Sequence, residues 1–578
     1  MAAFFLMNDL LPSSTVPCLV TLQRFGAERL RLPGGNQEVL FLSTSDGSER
    51  ALTVLGRGAD LAAAWLDAWA QWRQRQVGEA GLPRWVRVDR VMHVQAVNWG
   101  QVRRLLAGTK TNYFALGIAW DAALAQACLP EELWGHACLY SGDINACVPS
   151  DENLRALTRR KFGRETGWPQ DDATPLWLFQ TKGVFVEGEG PVQLLDNEGV
   201  MDRVRRVDPP DAALVAEAVQ RSADYLTRQV TLSGRWVYGW YPCFDRPVPS
   251  YNALRHASAA YSLLEAWDLT RQPAHLEAAT RAIDHLCREL IRPVAVPTGE
   301  AHVAYLVDEG AEIKLGGNGV AILALAKRIE LTGEARHLAL IRPLAEGLLR
   351  MQDTATGAFV HVLEFPSLAV KEVHRTVYYD GEAAFGLLKA YQLTGEHRYL
   401  EAVERAVEYF IQAQHWRSHD HWLAYAVNEL TRLAPQERYF RLGLKNVSRH
   451  LGFIRQRITA YPTLLELTMA ASAMLDRMDT LGLEPLALDP GFDRQAFEQA
   501  LHQRARHLFS GYFFPELAMF FRSPARMVNT FFIRHYSFRV RIDDVQHYLS
   551  GLVAYHQRFL SGARTPAPST APELSASP

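Results

Sequence analysis

From about residue 210 to residue 560 the apolar positions recur every three to four residues, the spacing of one helical face. The pattern resolves into helices over 212–229, 253–269, 276–291, 319–331, 337–351, 381–393, 399–414, 422–433, 438–455, 463–481, 494–509 and 543–559, about twelve in all. Short connections of about four residues alternate with long ones. Helices that follow a long connection are apolar on several faces, as in Ala-Ile-Leu-Ala-Leu-Ala at 321–326 and Ala-Ala-Phe-Gly-Leu-Leu at 383–388. All-round apolar character predicts burial. The others carry an exposed charged face, as with Glu401, Glu404, Arg405 and Glu408. An inner set and an outer set of helices follow from this contrast.

The unit repeats. Leu-Thr-Gly-Glu-Ala-Arg-His-Leu at 331–338 returns as Leu-Thr-Gly-Glu-His-Arg-Tyr-Leu at 393–400, 62 positions on, with a weaker copy at 269–276. A fixed period predicts a repeat architecture. The short turns belong to one end of it and the long loops to the other.

The first 205 residues read differently. Strands are predicted over 16–22, 38–42, 51–55, 85–88, 177–182 and 183–186, with Asp46-Gly47 as a hairpin turn. Helices are predicted over 59–75 (Leu61, Trp65, Trp69 and Trp72 near helical spacing), 99–106, 121–128 and 152–162. The expectation is a mixed N-terminal α/β domain over 1–205, in two blocks of about 1–95 and 96–205. An all-α domain over 206–560 follows, and then a Pro/Ser/Thr/Ala-rich tail, 561–578, of disordered composition. Arg103, Arg104, Lys110, Arg159, Arg160 and Lys161 make the second block locally basic and read as solvated surface. No Walker loop and no GxGxxG occurs there.

A TPR-like solenoid, with its repeat of about 34 residues and uniformly short loops, does not match this pattern. A closed ring of six helical hairpins does. On its helix pattern and its polar-aromatic helix entrances, the stretch 210–560 resembles the (α/α)6-toroid proteins: six-hairpin glycosidases, polysaccharide lyases and N-acylglucosamine 2-epimerase-like enzymes. The resemblance implies a carbohydrate-active enzyme, with hydrolysis, epimerisation and elimination all represented among its members.

Composition narrows the picture in two places. A formal charge of −2 gives no reason to expect nucleic acid, and no apolar run is long enough for a membrane span. Six cysteines without CxxC spacing read as thiols of a reducing compartment. With no signal-peptide pattern at the first residues, a cytoplasmic location is expected.

In such a ring every inner helix starts at the long-loop end, so the entrances share one mouth. They carry Tyr251, Asn252, Arg255 and His256; Lys314 and Asn318; Tyr378, Tyr379, Asp380 and Glu382; Asp420, His421 and Trp422; Tyr461 with Glu466; and Asp543, Asp544 and His547, with Trp240 and Tyr241 just upstream. Asp380, Asp420 and Asp543 also suit N-caps. Paired carboxylates at opposing entrances suit acid/base cleavage of a glycosidic bond, with Asp380 or Glu382 on one side and Asp543 or Asp544 on the other. Arg255, His256 and Lys314 suit an acidic substrate, and Trp240, Tyr378, Tyr379 and Trp422 suit sugar faces. His256, His421 and His547 would serve an epimerase, a Tyr or His a lyase. A toroid without chemistry would be a glycan- or protein-binding scaffold in a biosynthetic assembly. A saccharide is the expected partner. No cofactor and no metal is expected, although His419, Asp420, His421, Asp543, Asp544 and His547 carry donor atoms.

Overall fold

The computed structural model describes residues 15–26, 30–33, 35–75, 83–140, 142–294 and 302–562. The first fourteen residues and nearly all of the tail lie outside the described residues.

The N-terminal region is built on an eight-stranded antiparallel sheet. Its strands are β1 (Leu30–Leu32), β2 (Gly35–Ser45), β3 (Leu52–Gly58), β4 (Trp85–Asn98), β5 (Gly117–Ala119), β6 (Ala127–Cys128), β7 (Pro175–Glu187) and β8 (Gln193–Leu195). The order is β1-β2-β4-β7-β5-β6, with β3 on β2 and β8 on β7. Alternation along β2 sends Leu40 and Leu42 to one face and Val39 and Phe41 to the other. The first face is covered by α1 (Thr15–Gln23) and α2 (Leu61–Arg75) through Leu19, Leu22, Trp65, Trp69 and Trp72. The second meets Met519 and Phe520 of the helical domain. The remaining helices of this region are α3 (Trp99–Ala107), α4 (Pro130–Gly135) and α5 (Asp151–Phe162).

Three readings of this region need correction. The stretch 16–22 is helical: Thr15, Cys18, Leu19 and Leu22 are buried at helical spacing, so one packed stripe outweighs the β-branched content. The stretch 121–128 is a turn and a short strand, because the Asp121 carboxylate accepts from the amides of Ala123, Ala125 and Gln126. The two strands predicted over 177–186 are one, β7, paired along its length with β4.

The helical domain contains α6 (Ala212–Gln229), α7 (Ala253–Thr270), α8 (Pro273–His285), α9 (Leu315–Thr332), α10 (Leu338–Arg350), α11 (Tyr378–Thr394), α12 (His397–Gln412), α13 (His421–Leu433), α14 (Glu437–Ser448), α15 (Thr463–Leu481), α16 (Arg494–His507) and α17 (Ile542–Tyr555). The stretch predicted as one helix over 438–455 is interrupted after α14. Helices α7, α9, α11, α13, α15 and α17 each pack on the next, and α17 closes back on α7. The six others lie outside them. The domain is an (α/α)6 toroid, the architecture its helix pattern predicts.

Glycines bring α9 and α11 together. A Cβ on Gly319 would lie 2.2 Å from the Glu382 carbonyl oxygen, and one on Gly386 would lie 2.7 Å from Gly319 Cα. Gly381 serves the same purpose against α13, where a Cβ would meet the Leu423 amide nitrogen at 2.4 Å.

Long loops at the mouth carry a five-stranded antiparallel sheet, β11 (Ile291–Val294), β12 (Val303–Asp308), β13 (Glu312–Lys314), β14 (Val362–Glu364) and β15 (Val370–Glu372), in sequential order. A second sheet joins β10 (Arg246–Pro247), β9 (Gly239–Tyr241) and β16 (Val540–Arg541). The connection from α16 to α17 is rich in Phe and reaches the N-terminal sheet.

The junction between the two regions is ionic at its centre. Arg87, wholly buried, donates to Asp89 at 2.8 Å, to Glu131 at 2.7 Å and to the Glu516 carbonyl at 2.8 Å. Arg203 donates to Glu131 at 2.6 Å, and Arg205 to the Glu516 carboxylate at 2.8 Å. No described helix is long and apolar enough to cross a membrane.

Candidate active site

The mouth gathers Arg255 of α7, Glu382 of α11, Asp420 and His421 at the start of α13, Glu466 of α15, and Asp543 and His547 of α17. Residues 380 and 382 lie about 200° apart around a helix, so their side chains diverge. Glu382 turns towards α9, where its carboxyl lies against Gly316. Asp380 turns instead to His361 Nε2 at 3.3 Å and His415 Nδ1 at 3.8 Å.

Two carboxyl groups in the mouth are driven in opposite directions. Glu382 is buried, Oε2 has no partner, and burial pushes its carboxyl up to about 8 although the Arg255 guanidinium pulls the other way. Burial also opposes charge on Asp543, but Arg255 and Arg541 overcome it and hold that carboxyl below its ordinary value. Arg255 Nε lies 3.3 Å and Arg541 Nη2 2.9 Å from Asp543 Oδ2. Asp543 Oδ1 is buried and has no partner.

The position of the Glu382 carboxyl depends on Gly316, where a Cβ would fall 1.8 Å from Oε2. Gly316→Ala is therefore expected to displace the carboxyl and lower turnover about 10²-fold. Its circular dichroism should stay unchanged, because the groups that must move are two side chains, the Glu382 carboxyl and the Tyr379 ring, whose Cδ1 a Cβ would meet at 2.7 Å. Unchanged turnover would show that the position of Glu382 is immaterial.

Next to this pair, His547 Nδ1 lies 2.8 Å from Glu466 Oε2, and His421 Nε2 lies 3.9 Å from the same oxygen. Tyr425 donates to Glu466 Oε1 at 3.3 Å. Burial raises the Glu466 carboxyl to about 8 and lowers His547 to about 4. Asp420 is a true N-cap, accepting from the amides of Trp422 and Leu423, and His421 Nδ1 lies 3.2 Å from its Oδ1. Tyr378 and Tyr461, 40% and 39% exposed, offer aromatic surface at the lip.

Several expected site residues do other work. His256 is a core histidine, between the Tyr251 hydroxyl at 2.7 Å and the Ala282 carbonyl at 2.8 Å, and burial lowers it to about 3. Asn318 is buried and bonds the Leu306 amide and the Lys314 carbonyl. Asn252 caps α7 through the Arg255 amide. Lys314 pairs with Asp308 and reaches Glu312 at 3.6 Å. Trp240 bonds Gln229 of the outer helix α6 and lies under Arg526, and Tyr241 follows it in β9. The Trp422 ring packs on those of His421 and Tyr425, with centroids 5.3 Å and 5.7 Å apart. Tyr379 is buried, with Cδ1 near the Gly316 position. Asp544 pairs with Arg541 at 3.0 Å and accepts from its amide. Helix α11 begins at Tyr378 and α17 at Ile542, so neither Asp380 nor Asp543 is an N-cap.

Glu466 is the residue whose place the sequence understated. Its signal is present, as the only charge in the first twelve residues of α15.

Two groups of donors are close enough for a metal ion among the described residues: His361, His374 and Asp380, and His421, Glu466 and His547. In the first, His361 Nδ1 accepts from the amides of Arg375 at 3.0 Å and Thr376 at 3.3 Å. Its Nε2 therefore carries the proton and is directed at Asp380, which suits orientation of the aspartate and not ligation.

No family model matches the chain, and no curated protein matches it. Solved structures similar to it include an α-1,6-mannanase from Salegentibacter, with 11% identity over 59% of this chain and 99% of that one, at a TM-score of 0.42. A cellobiose 2-epimerase from Bacillus thermoamylovorans has 7% identity over 60% and 99%, at 0.45. A D-mannose isomerase has 12% identity over 59% and 96%, at 0.43. Identity at this level carries no residue role across.

Proposed function

We propose that the protein is a carbohydrate-active enzyme that hydrolyses a glycosidic bond, with Glu382 as general acid and Asp543 as its ionised partner. The observation that carries this reading is a pair of buried carboxyl groups in unlike surroundings, Glu382 with a partnerless Oε2 and Asp543 held by Arg255 and Arg541. Burial keeps the proton on Glu382 at neutral pH, while two guanidiniums keep it off Asp543. Glu382 would donate its proton to the leaving-group oxygen. Asp543, through its unpartnered Oδ1, would take the proton of the attacking water. Tyr378 and Tyr461 would hold sugar faces at the lip. Arg255, part-exposed beside them, favours a saccharide bearing an acidic group.

A second reading has its own observation. The His421 and His547 rings are 5.2 Å apart with Glu466 between them, a set that would move protons in an epimerase or isomerase.

One experiment separates the two. The protein is incubated in D2O with a panel of manno-, gluco-, uronic and amino-sugar oligosaccharides and followed by NMR. Hydrolysis expects new reducing ends, lost in Asp543→Asn. Bond cleavage unaffected by that substitution would defeat the assignment. Deuterium entering C2 of an intact saccharide, dependent on His421 and His547, would establish the second reading instead.

A further inference from the structure

We propose that His421, Glu466 and His547 hold a divalent transition-metal ion, zinc foremost, at one side of the toroid mouth. Three successive inner helices bring one donor each to a common point, with all three donor atoms within 4.8 Å of one another. Glu466 Oε2 is 2.8 Å from His547 Nδ1 and 3.9 Å from His421 Nε2. These values bracket the edge of about 3.4 Å between ligands that sit 2.1 Å from a tetrahedral ion.

His421 presents one ring nitrogen to each side. Its Nδ1 lies 3.2 Å from Asp420 Oδ1, and its Nε2 lies on the Glu466 side. That nitrogen is buried, has no hydrogen-bond partner and is directed at Glu466. A carboxylate behind a ligating imidazole is the usual support of a metal-bound histidine. Glu466 has the matching arrangement: Tyr425 occupies Oε1 and Oε2 is left to the two histidines.

The plain alternative is a hydrogen bond between His547 and Glu466 with nothing more. It accounts for those two residues and leaves His421 Nε2, a buried polar atom, unmet. The local charge also permits a cation. Asp420, Asp543 and Asp544 balance Arg255, Arg541 and Arg539, and a bound cation would displace the proton of Glu466. Two imidazoles and one carboxylate suit zinc, cobalt, nickel or iron, and hold magnesium or calcium poorly. Three protein donors leave coordination positions for a hydroxyl pair or carboxylate of a ligand. The proposal does not depend on the hydrolytic reading, because the readout below is metal binding.

The full-length protein is stripped with chelator, and Co2+ is then added. A single equivalent is expected to produce visible d–d bands, and elemental analysis after Zn2+ loading is expected to return one ion per chain. His421→Ala and Glu466→Gln should weaken Co2+ binding at least about 100-fold, while His361→Ala, in the other histidine group, should leave it unchanged. Wild-type protein that binds no stoichiometric Co2+ or Zn2+ at neutral pH overturns the proposal whatever the variants do. So does a Co2+ spectrum that survives in folded His421→Ala.

Discussion

Glu382→Gln is expected to lower turnover on the cognate saccharide about 10²–10⁴-fold, the usual worth of a general acid. The side chain keeps its size and place beside Gly316, so KM should change little. The pH profile of the wild type should be bell-shaped. Its alkaline limb falls as Glu382 loses its proton near pH 8, and its acid limb falls as Asp543 gains one below the ordinary carboxylate range. In Arg255→Ala both limbs should move up, because the guanidinium lowers both carboxyls. The same burial has a cost in stability. A carboxyl raised in the folded state resists ionisation there, so the folded state loses stability as pH rises from the ordinary glutamate value through 8. Glu382→Gln removes that loss and should raise stability at pH 8 by on the order of 1–3 kcal/mol. A variant that is slow and also more stable at alkaline pH is the combined signature. Wild-type turnover in this variant would exclude Glu382 as the acid.

Arg87→Ala is expected to be the most damaging substitution far from the mouth. It leaves Asp89 and Glu131 buried with Arg203 as their remaining guanidinium, and it takes one bond from the Glu516 carbonyl. Breaking a buried ionic group by removing one member costs about 3–5 kcal/mol. Calorimetry should show an earlier transition, with the N-terminal region and the toroid melting apart. Burial alone would raise the Glu131 carboxyl, yet Arg203 and Arg87 hold it well below its ordinary value. Its contribution is therefore present above the ordinary glutamate range and is lost as pH falls below it. The gap in melting temperature between wild type and Glu131→Gln should hold from pH 7 to pH 5 and narrow as pH falls from 4.5 towards about 2. A gap that widens would contradict the assigned network.

The ring was legible in outline because helix pattern is local. Helices over 212–229 and 463–481 stand where their apolar spacing puts them, and the alternation of short and long connections assigns one end of every inner helix to the mouth. The entrances were legible as a set for the same reason. Which side chains turn inward was not. His256 and Asn318 stand at entrances and look as chemical as His421, yet both are consumed by bonds to neighbouring segments. Glu466 looked like one acid on an apolar helix, and its histidine partners come from α13 and α17, far off in the chain.

By itself the sequence determined the twelve long helices of the ring, the inner and outer classes, the mouth and its polar character, because each rests on spacing within a few residues. Only the tertiary structure decided that Glu382 and Asp543 are pushed apart in protonation, that Asp380 is bound to histidines, and that Arg87 joins the two regions. These depend on burial and on charges hundreds of positions away, and a one-dimensional pattern holds neither quantity.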